Sequence, residues 1–102
     1  MQQITAHELK EWLADSSRPQ PLLIDVREPH EFAAYAIEGA VLIPMQSVPN
    51  RLTELDSTAE IVMVCHSGVR SYHAGEFLKQ NGFEHVYNLA GGVVAWSQAA
   101  SS

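Results

Sequence analysis

The middle of the chain reads Ile61-Val62-Met63-Val64-Cys65-His66-Ser67-Gly68-Val69-Arg70, a short apolar run followed at once by a polar segment. Four consecutive apolar residues are typical of a strand that is buried on both faces of a parallel sheet. A helical pattern begins near Arg70, so the predicted strand ends and the helix starts within a few residues. Several backbone N–H groups of such a junction point at one spot, beside the positive end of the helix dipole. Cys65 lies at that spot, where the thiolate form of its side chain is favoured over the thiol.

The rest of the chain alternates predicted strands with predicted helices. Apolar runs predict further strands at Leu22–Val26, Val41–Ile43 and Val86–Leu89. The first predicted helix follows a capping box at Thr5-Ala6-His7-Glu8. The second spans 28–35, the third begins at Ser47, the fourth spans 70–81 and the fifth begins at Gly91-Gly92. This order predicts one α/β domain over residues 1–102, built on a mostly parallel sheet with helices on both faces. Residues 97–102 are predicted to form a frayed tail.

Composition excludes several classes of function. Of the 102 residues, 46% are apolar, which is enough to bury one core. Six basic and twelve acidic side chains give a net charge of -6 with no basic cluster, so no nucleic-acid partner is expected. The sequence shows no export signal and no apolar run of membrane-spanning length, so a cytoplasmic protein is expected. Cys65 is the only cysteine, so any group that it acquires must pass to another molecule.

Three segments that are far apart in sequence are predicted to meet at one edge of the sheet. They follow the strands that end at Val26, Val64 and Leu89. Ligands of open α/β sheets lie beyond the carboxyl ends of the strands, so this edge is the candidate site. Beside Cys65 and its loop, the candidates for rim contacts or loop support are Arg27, Glu28, Ser71, Gly91 and Gly92.

The segment after Cys65 has the composition of an anion-binding cradle. The backbone N–H groups of residues 66–70 are predicted to converge on the sulfur, and Gly68 permits the positive φ that such a curl needs. Ser67 and Ser71 add hydroxyl donors, and His66 adds a positive charge when it is protonated. Arg70 has two open roles, which are contact with an oxyanion and a bond to a carboxylate that holds the loop in shape.

Each candidate also has a purely structural interpretation. A lone cysteine at a strand end is often a small buried hydrophobe, although the glycine and the arginine that follow favour a reactive one here. Asp25 and Arg27 are expected mainly to stabilise the fold, and Gly91-Gly92 to allow close backbone packing beside the loop. A zinc site of Cys65, His66 and His73 is not expected, because adjacent Cys and His side chains do not readily converge on one tetrahedral ion. No metal or organic cofactor is implied.

Four segments of the sequence resemble the rhodanese superfamily, in an order that covers nearly the whole chain. They are Asp25-Val26-Arg27-Glu28 with Glu31-Phe32, Ile37-Glu38-Gly39-Ala40 with Ile43-Pro44, Cys65-His66-Ser67-Gly68-Val69-Arg70-Ser71, and Asn88-Leu89-Ala90-Gly91-Gly92 with Ala95-Trp96. The resemblance implies the three-layer α/β/α fold of a single-domain rhodanese, with about five strands. It also implies that Cys65 is the catalytic nucleophile and that residues 66–70 form the substrate-binding loop.

The length of the loop distinguishes chemistries within that superfamily. Four residues lie between Cys65 and Arg70, which resembles the sulfurtransferases, whereas the related cell-cycle phosphatases and arsenate reductases have one more. The resemblance implies that Cys65 attacks the outer sulfur of thiosulfate, that sulfite leaves, and that the resulting persulfide passes its sulfur to cyanide, a thiol or a protein acceptor. Phosphatase or arsenate reductase activity is the disfavoured alternative.

A third hypothesis is a sulfur carrier that a partner protein loads and that does not turn over free thiosulfate. Arg70, and His66 when it is protonated, are the only cations of the loop, and the protein is acidic overall. Such a surface repels a dianion such as thiosulfate, which favours delivery of the sulfur by a protein.

Overall fold

A computed structural model describes residues 1–100 and shows a five-stranded sheet in which every pairing is parallel. The strands are β1 (Gln2–Ile4), β2 (Leu22–Asp25), β3 (Val41–Leu42), β4 (Ile61–Val64) and β5 (Val86–Leu89), in the spatial order β1-β5-β4-β2-β3. The helices are α1 (Ala6–Ala14), α2 (Pro29–Ala34), α3 (Val69–Gln80) and α4 (Gly92–Ala100), with two 3-10 helices at Met45–Ser47 and Pro49–Glu54. The predicted α/β class with a parallel sheet is therefore confirmed.

Alternate side chains of β4 enter two hydrophobic clusters. Met63 and Cys65 belong to the cluster that contains Leu78 of α3. Val62 belongs to the cluster that contains Leu9 of α1. Because successive side chains of a strand point to opposite faces of the sheet, this register directs Cys65 towards the α3 face.

The local signals at two helix ends are confirmed. Thr5 Oγ1 accepts a hydrogen bond from the Glu8 N–H at 3.0 Å, and the Glu8 carboxylate accepts one from the Thr5 N–H at 2.9 Å. These reciprocal bonds are the predicted capping box of α1. Gly82 follows α3 with a φ of +92°, the left-handed conformation of a helix stop.

Two elements differ from the prediction. β1 was not predicted, since it has three residues of which only Ile4 is buried, too few for a detectable pattern. The helix predicted from Ser47 is wrong, because this region forms two 3-10 helices instead. Its backbone hydrogen bonds join residues three apart, such as the Ser47 N–H to Pro44 carbonyl bond at 2.8 Å and the Arg51 N–H to Val48 carbonyl bond at 3.0 Å.

The frayed tail was predicted to begin at residue 97, which lies within the last helix of the structure. α4 continues to Ala100, and Ala99 packs against the hydrophobic cluster of α1 while its carbonyl accepts a hydrogen bond from Lys10 Nζ at 3.2 Å. The remaining part of that prediction, residues 101–102, lies outside the described residues. None of the helices in the described part of the chain has both the length and the apolar character needed to cross a bilayer.

Strand order determines where the candidate site lies. β4 is paired with β5 on one side and with β2 on the other. The segments that follow these three strands therefore meet at one edge, as predicted. Backbone bonds join them, because the Val26 N–H donates to the Val64 carbonyl at 2.9 Å and the Val93 N–H donates to the Cys65 carbonyl at 2.9 Å.

Candidate active site

Cys65 follows the last residue of β4 and is buried, with 1% of its surface exposed. Several donors face its sulfur, among them the Gly68 N–H and the Ser71 hydroxyl. The Gly68 N–H lies 3.1 Å from Cys65 Sγ, and Ser71 Oγ lies 3.2 Å from it. Both donors come from the short connection between β4 and α3 and from the first turn of that helix. The sulfur thus lies inside the curl that the sequence predicts.

Two opposing effects act on the pKa of Cys65. Burial raises the pKa, because a thiolate loses hydration inside the protein. Hydrogen bonds from the Ser71 hydroxyl and from the backbone N–H groups of Ser71, Gly68 and Ser67 lower it, since they stabilise the anion. The hydrogen bonds prevail, and the pKa lies below its ordinary value. The site therefore stabilises the thiolate, the nucleophilic form of cysteine, relative to an ordinary cysteine side chain.

Gly68 adopts the conformation that the curl requires. Its φ is +106°, in the left-handed region where a side chain is strained. A Cβ at this position would also lie 3.3 Å from the Gly91 nitrogen. Glycine thus allows the loop to turn the Gly68 N–H towards the sulfur while it packs against the segment after β5.

Arg70 binds a carboxylate. Its Nη1 and Nη2 donate to Glu31 Oε1 and Oε2 at 2.9 and 3.0 Å, a two-point ion pair that joins α3 to α2. These bonds lower the pKa of Glu31 to about 2, assisted by the hydrogen bond that Glu31 accepts from the Glu28 N–H. The structure thus shows the bond to a carboxylate, which is one of the two roles left open for Arg70. Sequence reasoning did not identify Glu31 as the partner.

Arg27 does not lie on the rim. Its side chain is 4% exposed and binds the fully buried Asp25 carboxylate, with Nη2 to Oδ2 at 2.8 Å. Arg27 Nη2 also donates to the Tyr35 carbonyl at 2.6 Å. The expected stabilising role of this pair matches the structure, and a rim contact for Arg27 does not. Glu28 remains beside the site through its backbone bond to Glu31.

Gly91 and Gly92 let α4 approach the loop. The Val93 and Val94 N–H groups donate to the carbonyls of Cys65 and His66 at 2.9 and 3.2 Å. A Cβ on Gly92 would overlap these carbonyls, and Gly92 has a φ of +57°. The predicted close backbone packing beside the loop is therefore present.

Ser71 and Asn88 form a buried polar pair behind the sulfur. Ser71 is 0% exposed, and its Oγ lies 2.5 Å from Asn88 Oδ1. Asn88 Nδ2 donates to the Gly68 carbonyl at 3.0 Å and to Gln3 Oε1 at 3.1 Å. Sequence reasoning gave Asn88 no role at the site. The available signal was a polar residue within the apolar run of β5, and such a residue needs buried partners.

The remaining residues of the loop face outwards. His66, Ser67 and Val69 are exposed, so the His66 side chain lies at the surface. An open depression of about 310 Å³ borders the loop and is lined in part by Val69 and Tyr72. In the described part of the chain, no three His, Cys, Asp or Glu side chains are grouped as metal ligands.

Comparisons with known proteins identify the family of the chain. A model of the rhodanese-like domain matches residues 5–99. A sulfurtransferase of Allochromatium vinosum is 38% identical over 94% of this chain and 88% of its own length. A crystal structure of a rhodanese-like domain protein from Staphylococcus aureus has a TM-score of 0.87 and 38% identity, over 94% of this chain and 91% of that one.

Two further relatives differ in their described activities. A thiosulfate sulfurtransferase of Pseudoalteromonas translucida is 31% identical over 78% of this chain and 76% of its own length. A putative sulfur carrier protein of Bacillus subtilis is 40% identical over 74% of this chain, and the match spans 40% of that protein.

Proposed function

Since this chain belongs to the rhodanese-like family and is similar to a sulfurtransferase over nearly its whole length, we propose that it transfers a sulfane sulfur through a persulfide on Cys65. One observation carries the proposal. Cys65 Sγ is buried and accepts hydrogen bonds from the Gly68 N–H and from Ser71 Oγ, which favours the thiolate. A thiolate at neutral pH is the nucleophile that the reaction requires.

The first half of the reaction loads the enzyme. The Cys65 thiolate attacks the outer sulfur of thiosulfate, a new S–S bond forms, and the S–S bond of thiosulfate breaks. Its electron pair leaves with sulfite. The product is a Cys65 persulfide that carries the negative charge on its terminal sulfur, so charge and atoms balance across the step.

The second half of the reaction returns the thiolate. A nucleophile such as cyanide or a thiolate attacks the terminal sulfur, and the Cys65–sulfur bond breaks with its electron pair remaining on Cys65. Cyanide becomes thiocyanate, and a thiolate becomes a persulfide. Backbone N–H groups of the loop stabilise the anionic terminal sulfur, in the manner of an oxyanion hole.

The shape of the loop supports sulfur as the transferred atom. The ion pair between Arg70 and Glu31 closes the four-residue segment on one side, and Gly92 brings α4 against it on the other. The curl is therefore fixed at the short length that resembles the sulfurtransferases, without the extra residue that accompanies a tetrahedral oxyanion in the phosphatases.

A specific observation favours the second candidate, a sulfur carrier loaded by a partner protein. Both terminal nitrogens of Arg70 bind Glu31 rather than facing an incoming anion. His66 is exposed and adds a positive charge to the loop only when it is protonated, and the chain has a net charge of -6 with histidine neutral. Such a site attracts thiosulfate weakly, and the putative sulfur carrier relative fits the same interpretation.

Mass spectrometry of the intact protein tests the proposal. The reduced protein, incubated with thiosulfate, is expected to gain the mass of one sulfur atom and to lose it when cyanide is added. Cys65→Ser, with its fold checked by circular dichroism, is the control and must gain nothing. An unchanged mass with an intact thiol, after exposure to thiosulfate and to a protein persulfide, contradicts the proposal. Rapid loading from the protein persulfide alone selects the carrier.

A further inference from the structure

The side-chain amide of Asn88 has an unambiguous orientation. The Gly68 carbonyl can only accept hydrogen bonds, and it lies 3.0 Å from the Asn88 amide. The amide nitrogen must therefore face Gly68, and the amide oxygen must face Ser71. Asn88 is 2% exposed, so no bulk water replaces these partners.

The hydroxyl of Ser71 has two neighbours and one hydrogen. Asn88 Oδ1 lies 2.5 Å from Ser71 Oγ, and between these two oxygens only the serine can supply a hydrogen. Cys65 Sγ lies 3.2 Å from the same Oγ. When the hydrogen points at Asn88, the sulfur faces the lone pairs of Ser71, an arrangement that suits a neutral S–H donor.

Ionisation of Cys65 reverses this arrangement. A thiolate has no hydrogen to donate, so its bond to Ser71 forms only when the hydroxyl turns away from Asn88. Asn88 Oδ1 then loses its donor while it remains buried, which is unfavourable. Asn88 and the thiolate thus compete for one hydrogen.

We propose that Asn88 is a positioning residue that, through the single hydroxyl hydrogen of Ser71, favours the states of Cys65 in which Sγ carries no charge. These states are the protonated thiol and the persulfide. In the persulfide the negative charge lies on the terminal sulfur, so the Ser71 hydroxyl returns to Asn88. The part of the inference that concerns the persulfide rests on the proposed function.

The consequence is a bias towards the loaded form. In the loading reaction, a thiolate and thiosulfate give a persulfide and sulfite, and the charge leaves Sγ. Asn88 opposes the first state and is satisfied in the second, so it shifts the equilibrium towards the persulfide. It also limits how far the loop stabilises the thiolate of the unloaded protein.

A double-mutant cycle tests the inference, with Asn88→Leu, Ser71→Ala and their combination. Asn88→Leu frees the Ser71 hydroxyl for the sulfur, but it also removes the anchor of the Gly68 carbonyl. In the Ser71→Ala background only the effect of the anchor remains. The difference between the effects of Asn88→Leu in the two backgrounds is therefore the contribution of the hydrogen that Ser71 shares between Asn88 and Cys65.

The first measurement is the rate of alkylation of Cys65 as a function of pH, which reports thiolate because the chain has no other cysteine. Asn88→Leu is expected to shift the alkylation profile to lower pH when Ser71 is present. Compared with its effect in the Ser71→Ala protein, the substitution then raises the acid ionisation constant of Cys65 by on the order of fivefold. Equal shifts in both backgrounds overturn the inference.

The second measurement is the fraction of persulfide at fixed concentrations of thiosulfate and sulfite, determined by mass spectrometry. At a pH above the pKa of Cys65, where the unloaded protein is the thiolate, Asn88→Leu is expected to reduce the ratio of loaded to unloaded protein when Ser71 is present. This reduction is about fivefold larger than in the Ser71→Ala protein, where only the effect of the anchor remains. If the wild-type protein does not load at all, the proposed function fails, whereas the alkylation profile still decides the role of Asn88.

A third measurement needs no change at Asn88 and covers the case in which Asn88→Leu does not fold. At a pH below the pKa of Cys65, the infrared S–H stretching band of the wild-type protein comes from Cys65 alone. It is expected at lower frequency than in Ser71→Ala, because the S–H donates to Ser71 Oγ in the wild type. Identical band positions overturn the inference.

Discussion

The ion pair between Arg70 and Glu31 gives a quantitative test of how the loop is held. The pKa of Glu31 falls from 4.5 to about 2, mainly through the two hydrogen bonds from Arg70. Taken at face value, the shift corresponds to about 3 kcal/mol. The side chains are 38% and 23% exposed, so screening by solvent reduces the expected contribution to about 1–2 kcal/mol. Glu31→Gln is expected to lower the free energy of unfolding by that amount at pH 7.

The pH dependence has a definite sign. The folded-state pKa of Glu31 lies below its unfolded value, so the stabilisation is complete above about pH 4.5 and is lost as the pH falls towards about 2. The difference in stability between the wild type and Glu31→Gln should narrow over that range. Urea unfolding at several pH values measures it.

Arg51 and Glu54 provide a matched control. They form an ion pair at 3.0 Å within one 3-10 helix, with side chains 37% and 56% exposed. Glu54→Gln is expected to cost less than about 0.5 kcal/mol at every pH. A cost for Glu31→Gln that equals this control, or that does not change between pH 5 and pH 3, would refute the assignment of Arg70 and Glu31 as the brace of the loop.

Two further predictions concern backbone packing and the buried ion pair. Gly92→Ala is expected to destabilise the protein by more than about 2 kcal/mol, because the new Cβ overlaps the carbonyls of Cys65 and His66. Gly82→Ala is the control, since position 82 has open space around it. It is expected to cost only the strain of its positive φ, about 1 kcal/mol. Equal thermal unfolding midpoints for the two variants would contradict the close approach of α4. Arg27→Leu leaves the buried Asp25 carboxylate without its partner and is expected to cost about 3–5 kcal/mol in denaturant unfolding; a loss below about 1 kcal/mol would be inconsistent with the burial of this pair.

Local patterns in the sequence predict the parts of the site that neighbouring residues determine. The apolar run before Cys65 predicts a buried strand, and Gly68 predicts a positive φ, because each depends on a few consecutive residues. The partner of Arg70 could not be predicted in this way. Several acidic residues are available to it, and the choice of Glu31, 39 positions away, depends on how α2 and α3 pack.

Asn88 illustrates a second limit of sequence reasoning. A polar residue in a buried strand signals that hydrogen-bond partners exist, but the sequence does not say which. Its partners come from β1, from the loop and from α3, and β1 itself was not predicted. The polar network behind the sulfur therefore became visible only once the strand order was known.

The direction of the loop N–H groups depends on α4 as well as on the loop itself. A peptide group is planar and trans, so its carbonyl and its N–H point in opposite directions. The His66 carbonyl accepts a hydrogen bond from the Val94 N–H. The N–H of the same peptide group is the Ser67 N–H, and its hydrogen bond helps to lower the pKa of Cys65. By binding one end of this peptide group, α4 keeps the other end directed at the sulfur. Gly92→Ala should therefore raise the pKa of Cys65 in the fraction of protein that remains folded, a result that loss of stability alone does not produce.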